Sequence, residues 1–351
     1  MSHHSETPQT DQNDVVVSSR VRLARNLAGF PFVNRADPAQ CREIVAMVKS
    51  MELAPGTETT WIDMTETSTT DRHVLLERHL VSRQFISADG PRGVAITRDR
   101  TLSIMVNEED HLRIQVLLPG SQLRSAWNQV NEVDRQLERT AEIAVHPRWG
   151  YLTACPTNVG TAIRFSIMAH LPALRMTNEV ERLRRAANNL HLAVRGFYGE
   201  GSESSGDFYQ ISNQLTLGLS EEELLTTFAD TVVPKVVGYE RLAREMLLER
   251  NRILLEDRVH RAVGILGSAR LLSIAEAMKQ LSRLRLGISL GIIDVISLED
   301  VQRLFLEIQP AHLRVAFGAG AAAEPVAEDM DDEWIRECRA TQVRGRILDS
   351  P

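Results

Sequence analysis

Hydrophobic positions in the first two-thirds of the chain follow two different periods. Apolar residues spaced by three and four predict helices over 124–143 and from Thr177 onward. Short β-rich runs bounded by turn-like residues predict strands, and these lie at 59–64, 94–99, 102–107, 112–118, 191–197 and 208–217, with a further strand beginning at Val15. The pattern predicts an α+β fold in which an antiparallel sheet is flanked by helices.

The last third of the chain changes character. Ser220 and Glu223 form a capping box, and nearly everything after them has a helical pattern. A small, acidic, proline-containing stretch at 319–333 predicts a linker before a short terminal helix. We therefore predict a catalytic-type domain over 14–250 and an all-helical C-terminal domain over 251–351.

Composition narrows the class of protein. The 351 residues carry a net charge of −7, which argues against a general nucleic-acid or membrane binder. The three cysteines show no CxxC or metal-ligand spacing, and no apolar run approaches the length of a membrane span. The polar N-terminus has no signal-peptide pattern. These features predict a cytoplasmic protein without nucleic-acid or membrane partners.

Arginines recur where predicted strands and helices begin or end. Arg20 and Arg22 alternate with apolar residues, so they share one face of a strand at a separation of roughly 6.5 Å. Three others are Arg113 after the turn NEEDHL, Arg164 at a predicted helix start, and Arg195 at a strand end. Five guanidinium groups together would match the oxygens of a polyphosphate.

No Walker A motif and no protein-kinase HRD/DFG pair occurs, so an arginine cage would have to hold the nucleotide. We expect Mg²⁺ to be held mostly by phosphates and water, with no protein metal site.

Two carboxylates could face this cage. Glu109 lies in the NEEDHLR turn, and Glu203 lies in a glycine-rich loop after Arg195. A guanidinium group has a pKa above about 12, so it becomes a nucleophile only when a carboxylate takes its proton. Simpler interpretations remain open for each element alone: a solvated hairpin turn, a flexible loop and, for Cys155, an inert buried thiol.

Four segments together resemble the phosphagen kinases, which transfer the γ-phosphoryl group of ATP to a guanidino nitrogen. They are SSRVRLARN, NEEDHLR, LTACPTNVGTAIR and VRGFYGEGSE, and they occur in the family's order between about Asp14 and Leu219. The resemblance implies the guanidino-kinase catalytic fold, with ATP and Mg²⁺ as cofactors.

The same resemblance implies roles for individual residues. Glu109 and Glu203 match the carboxylates that hold the guanidino group, one of them acting as base, and Cys155 matches the cysteine beside it. His79 matches the histidine that lies against adenine, although taken alone it reads as a surface helix residue. The residues that match the phosphate-contacting segments are Ser18, Ser19, Arg20, Arg22, Arg113, Arg164 and Arg195.

Within the family, the chain is most similar to the bacterial protein-arginine kinases of the McsB type. The segments DRHVLLERHL and QISNQLTLGLSEEELL and the helical last third carry this likeness. Arg20 comes so early that the small N-terminal domain of the metabolic enzymes is expected to be missing, which would leave an open site. The resemblance implies protein substrates with exposed arginines, and it is compatible with an activator protein, a protease partner and a homodimer.

One motif departs from this branch. Protein-arginine kinases carry RDxxRA near the C-terminus, as a phosphoarginine pocket, whereas Ile335 and Arg336 occupy its first two positions here and only Arg339 and Ala340 persist. An amphipathic helix packed on its own domain is the alternative for this segment. For the whole chain, a kinase for a free guanidino metabolite and a non-catalytic nucleotide- or arginine-binding module are the other two hypotheses.

Overall fold

The computed structural model describes residues 12–196, 205–318 and 331–348. Ten strands occur in these ranges: β1 (Val16–Arg25), β2 (Thr59–Asp63), β3 (Gly93–Thr97), β4 (Leu102–Val106), β5 (Leu112–Pro119), β6 (Val145–His146), β7 (Gly150–Tyr151), β8 (Ile163–His170), β9 (Leu192–Gly196) and β10 (Phe208–Asn213).

Twelve α-helices accompany the strands in the same ranges: α1 (Pro38–Ser50), α2 (Thr69–Glu77), α3 (Arg83–Ser87), α4 (Leu123–Thr140), α5 (Pro172–Met176), α6 (Val180–Asn189), α7 (Glu221–Thr226), α8 (Val233–Ser268), α9 (Ile274–Ser289), α10 (Leu298–Glu307), α11 (Pro310–Ala316) and α12 (Glu333–Leu348). A π-helical turn, Thr227–Val232, joins α7 to α8. Short 3-10 turns occupy Pro156–Asn158 and Ser205–Asp207.

Eight of the strands form one sheet in the order β2-β3-β4-β5-β1-β8-β10-β9. Every neighbouring pair is antiparallel. β1 therefore lies near the middle of the sheet, where its two edges pair with β5 and β8. The predicted antiparallel sheet flanked by helices is confirmed.

The main apolar core lies between one face of this sheet and helices that include α4 and the first half of α8. A second apolar cluster joins Phe208 of β10 to the helices of the last third, among them α9, α10 and α12. The predicted helical C-terminal region is confirmed for the residues that the structure describes. Asn251 interrupts α8 with non-helical backbone angles, close to the predicted domain boundary at 250, which itself stays a prediction.

Two local predictions were wrong. Arg164 does not begin a helix but lies on β8, because Gly160 (φ +118°) and Ala162 (φ +51°) turn the chain directly into a strand paired with β1. The strand predicted over 208–217 ends at Asn213. Most of the predicted linker at 319–333 lies outside the described residues. None of the described helices combines the length and apolar character that crossing a bilayer requires.

Candidate active site

β1 presents arginine on both of its faces, with different consequences. Val21, Leu23 and Arg25 point into the main core, and the Arg25 side chain is fully buried. Arg25 donates through Nε and NH2 to the carboxylate of Asp134 on α4, at 2.9 and 2.5 Å. Because side chains alternate along a strand, Arg20 and Arg22 point to the opposite face. The three arginines of β1 therefore differ in role: Arg25 is structural, and Arg20 and Arg22 face the candidate site.

Cross-strand pairing brings the remaining predicted arginines to the same face as Arg20 and Arg22. Arg164 lies directly opposite Arg22, and Arg113 lies opposite Ala24. Arg195 lies opposite Gln210, whose Oε1 accepts a hydrogen bond from Arg20 NH2 at 2.8 Å. Directly opposed residues share a face of the sheet. Four strands thus place five arginines on one surface.

The charge on this surface is largely uncompensated by the described residues. No acidic group among the described residues lies within ion-pair distance of Arg20, Arg22 or Arg164, and the buried Arg22 Nε has no hydrogen-bond partner among those residues. Burial, with Arg113 and Arg164 adding to it, lowers the pKa of Arg20 to about 10. Burial and the neighbouring arginines also lower the pKa of Arg22 and of Arg164. Such a surface suits a polyanion.

Two adjacent glutamates at the β4–β5 hairpin behave differently. Glu108 is buried and accepts from Arg113 NH1 and from the hydroxyl of Ser82. Burial works to raise the pKa of Glu108, but Arg113 and these hydrogen bonds together lower it. Glu109 is half-buried, and burial together with Asp110 and Glu108 raises its pKa against the opposing effect of Arg113 and Arg164. A carboxylate with a raised pKa beside an arginine surface is a good proton acceptor.

A network that sequence reasoning missed fixes this hairpin to the loop of Cys155. Asp110 Oδ1 accepts from Asn26 Nδ2 at 2.6 Å and from the backbone N–H of Ala154 at 2.7 Å. Asn26 also donates to the carbonyl of Leu152 and accepts from the N–H of His111. Three segments far apart in sequence are therefore joined through two buried side chains. The sequence feature that could have indicated this network is the polar pair Arg25-Asn26 at the end of the strand that carries the arginines.

Cys155 lies at the start of the 3-10 turn Pro156–Asn158 and is partly exposed. Its Sγ lies 3.0 Å from the hydroxyl of Thr157. Burial, with Arg195 and Arg113 adding to it, lowers the pKa of Arg164, and Glu109 and Cys155 oppose this lowering. Cys155, Glu109 and Arg164 therefore belong to one electrostatic environment. Glu203 lies outside the described residues.

Ser18 shares the arginine face, but Ser19 does not. The Ser19 side chain is fully buried on the other face, where its hydroxyl donates to the carbonyl of Gly120 and accepts from the N–H of Gln122, both at 2.8 Å. Both serines were expected on the phosphate-contacting segment, and of the two only the Ser18 side chain shares the face of the arginines. Alternation along the strand separates neighbours, and the Ser19 hydroxyl instead holds the turn before α4.

His79 follows the end of α2 and has a left-handed backbone (φ +58°). The Nε2 of Gln115, a residue opposite Arg22 in the sheet, donates to the His79 carbonyl at 2.7 Å. Burial, with Arg20 contributing, lowers the pKa of His79 to about 4, so the imidazole is neutral at pH 7. The reading of His79 as a surface helix residue is wrong, because it borders the arginine surface.

Comparison with known proteins places this site in a family. Residues 42–243 match the model of the ATP:guanido phosphotransferase C-terminal catalytic domain, and residues 252–350 match the protein-arginine kinase McsB C-terminal domain. The protein-arginine kinase of Halothermothrix orenii is 44% identical over 312 residues, which cover 89% of each chain. That of Desulforamulus reducens is 42% identical over 342 residues, covering 96% of this chain and 93% of the relative.

The chain belongs to the ATP:guanido phosphotransferase family. It is an ATP-dependent phosphotransferase acting on guanidino groups, as its resemblance to the phosphagen kinases implied. Asn251, the irregular residue of α8, falls in the short gap between the two matched ranges.

Solved structures of the family share the fold. The duplicated taurocyamine kinase from Schistosoma mansoni, with bound transition-state analogue components, aligns with a TM-score of 0.61 and 26% identity, covering 73% of this chain and 38% of that one. A lombricine kinase aligns with a TM-score of 0.57 and 24% identity, covering 65% and 67% of the two chains.

Proposed function

We propose that this family member is a protein-arginine kinase, which transfers the γ-phosphoryl group of ATP to arginine side chains of proteins. The observation that carries the proposal is the surface of five arginines with Glu109 at its edge. The arginines would hold the phosphates of ATP, with His79 beside the base and Ser18 on the same face. The relatives at 42–44% identity are named protein-arginine kinases and match along most of the chain.

In the proposed reaction, a guanidino nitrogen of the substrate attacks the γ-phosphorus and the bond to the β,γ-bridging oxygen breaks. ADP leaves with that electron pair, and the nitrogen loses its proton to a carboxylate. Glu109 is suited to this role, because its pKa is raised and the Asn26–Asp110 network fixes its hairpin. We assign Glu203 as the second carboxylate and Cys155 as a neighbour of the guanidino group on the family resemblance.

Mg²⁺ would neutralise charge on the β- and γ-phosphates. Among the described residues, no group of three or more histidine, cysteine or acidic side chains could hold a metal ion. That the nucleotide and water hold the Mg²⁺ stays a prediction. Protein substrates with exposed arginines follow from the proposed activity. A cytoplasmic location, an activator protein, a protease partner and a homodimer stay predictions.

The contacts of the terminal helix α12 favour a packing role for this helix over phosphoarginine sensing. Arg339 is fully buried and donates to the carbonyls of Ile308 and Leu272 and to Asp331. Ile335, in the first position of the altered motif, is also fully buried. We therefore propose that α12 anchors the helical region and that the retained Arg339 serves this anchoring.

The test is phosphorylation of an unfolded, arginine-rich protein such as casein with Mg-ATP, followed by mass spectrometry under non-acidic conditions, because phosphoramidates are acid-labile. We expect phosphoarginine from the unmodified chain and none from Glu109→Gln, which should still bind nucleotide. Glu58→Gln, an exposed carboxylate paired with Arg98, is the matched control and should retain full activity. Full activity of Glu109→Gln would remove Glu109 from the mechanism, and turnover of free arginine alone would favour a metabolite kinase.

A further inference from the structure

A contact between α2 and α11 joins the sheet-containing region to the helical region beside the arginine surface. Glu77, the last residue of α2, accepts hydrogen bonds from the backbone N–H groups of Ala311 and His312 at 2.8 and 3.0 Å. Its Oε2 also lies 2.7 Å from His312 Nδ1. Both side chains are only 11% exposed, so this contact is largely shielded from water.

The contact serves as the N-terminal cap of α11. The first N–H groups of a helix have no partner within the helix, and a local side chain normally accepts from them. Gln309, which occupies the cap position of α11, makes no such hydrogen bond. Glu77 supplies the missing acceptor from the other region of the chain. A carboxylate is also favoured there by the helix dipole.

The segment after Glu77 is bonded on its other side to the sheet of the active site. Gln115 Nε2 donates to the carbonyls of His79 and Leu80, and Ser103 Oγ donates to the same Leu80 carbonyl. Ser82 then donates to Glu108, which also pairs with Arg113. Residues 77–82 are thus held between α11 and the strands that carry the arginines.

We propose that Glu77 is a positioning residue for the nucleotide: by capping α11 it fixes the His79 segment against the arginine surface, so the helical region contributes to nucleotide affinity. This inference rests on the proposed function, in which His79 borders the nucleotide. Glu77 itself does not face the arginines, since its carboxylate is occupied by α11. The effect is therefore transmitted through the backbone between residues 77 and 79.

Glu77→Gln tests the proposal with little change in shape. The amide replaces one acceptor oxygen by an NH₂ group that would oppose the N–H groups of α11. We expect Mg-ADP to bind the full-length variant about tenfold more weakly by titration calorimetry, equivalent to about 1.4 kcal/mol. Glu58→Gln, on the exposed surface, is the matched control and should bind with unchanged affinity.

The opposite side of the contact gives an independent variant. His312→Leu removes the Nδ1 partner without altering the sheet-containing region, and His312→Asn, which can present an N–H group at a similar position, should restore most of the affinity. If both residues act through one contact, Glu77→Gln and His312→Leu together should weaken binding by less than the product of their separate effects.

Two results would overturn the inference. One is unchanged Mg-ADP affinity in both Glu77→Gln and His312→Leu. The other is a lowered melting temperature without any change in affinity, which would make the contact merely structural. Absence of phosphoarginine from casein would count against the proposed function. The comparison of Mg-ADP affinities among the variants would still test the role of Glu77, because it measures binding directly.

Discussion

At the scale of single residues, the arginine surface is built at the expense of stability. Arg22 is directly opposed by Arg164 and lies near Arg20 and Arg113, while its Nε has no hydrogen-bond partner in the part of the chain that the structure describes. Like charges opposite each other in a sheet repel, and burial removes the water that would screen them. The ligand-free protein therefore carries a local electrostatic cost that a bound polyphosphate would relieve.

Replacing Arg22 by Met should separate stability from binding. We expect the free energy of unfolding without nucleotide to rise by about 0.5–2 kcal/mol, as is common when a strained functional site is relaxed. Mg-ADP binding should be lost. Thermal melting followed by circular dichroism and a nucleotide titration would measure the two effects.

Arg98→Met is the comparison for this experiment, because Arg98 is exposed and pairs only loosely with Glu58. Neither its stability nor its nucleotide binding should change much. An Arg22→Met variant that melts at a lower temperature than the unmodified chain would show that the arginines are not under mutual repulsion.

At the scale of elements, the buried pair of Arg25 and Asp134 joins the central strand β1 to α4. The Arg25 guanidinium also stacks on the Tyr151 ring at 3.4 Å from its centroid. We expect Asp134→Ala to lower the free energy of unfolding by about 3 kcal/mol, because the buried Arg25 guanidinium would keep only Glu221, 3.7 Å away, within ion-pair distance. Urea denaturation would measure this loss.

A double variant, Arg25→Met with Asp134→Leu, should recover most of that stability, since apolar groups of similar volume commonly replace a buried ion pair without loss. A single Asp134→Ala variant with nearly unchanged stability would mean that the other partners of Arg25, among them the Thr161 carbonyl, satisfy it alone.

Elements with a clear period were predictable from the sequence, and contacts between distant segments were not. The strands around residues 94–118 and helix α4 follow their apolar spacing closely. Arg164 was misassigned because the preceding Thr-Asn-Val-Gly-Thr turn resembles a helix start, whereas pairing with β1 decides the strand. Asn26 and Asp110 lie 84 residues apart, and no local pattern relates them.

At the scale of the whole molecule, the two regions share buried structure. Phe208 of β10 packs in the same cluster as α9 and α10. Arg285 of α9 donates to the backbone carbonyls of Asn13 and Asp14, and its NH1 lies 2.9 Å from His170 Nδ1. We expect a chain ended after residue 250 to lose cooperative unfolding, because these buried groups of the first region would be exposed.

Calorimetry of the shortened and full-length chains would measure the change. The full-length chain should show one sharp transition, and the shortened chain a broad transition or none. A monomeric shortened chain with a sharp transition would instead establish residues 14–250 as an independently folding domain.

The two-sided pattern of β1 has a consequence for how its length can vary. Inserting or deleting one residue directly before Arg20 would exchange the faces of the residues that follow, so that Arg20 and Arg22 would enter the core while Val21 and Leu23 would line the site. Such a change would destabilise the fold and remove the arginines from the site at the same time. Single positions of this strand can therefore be substituted, but its length can change only by two residues, because a change of two keeps every side chain on its own face.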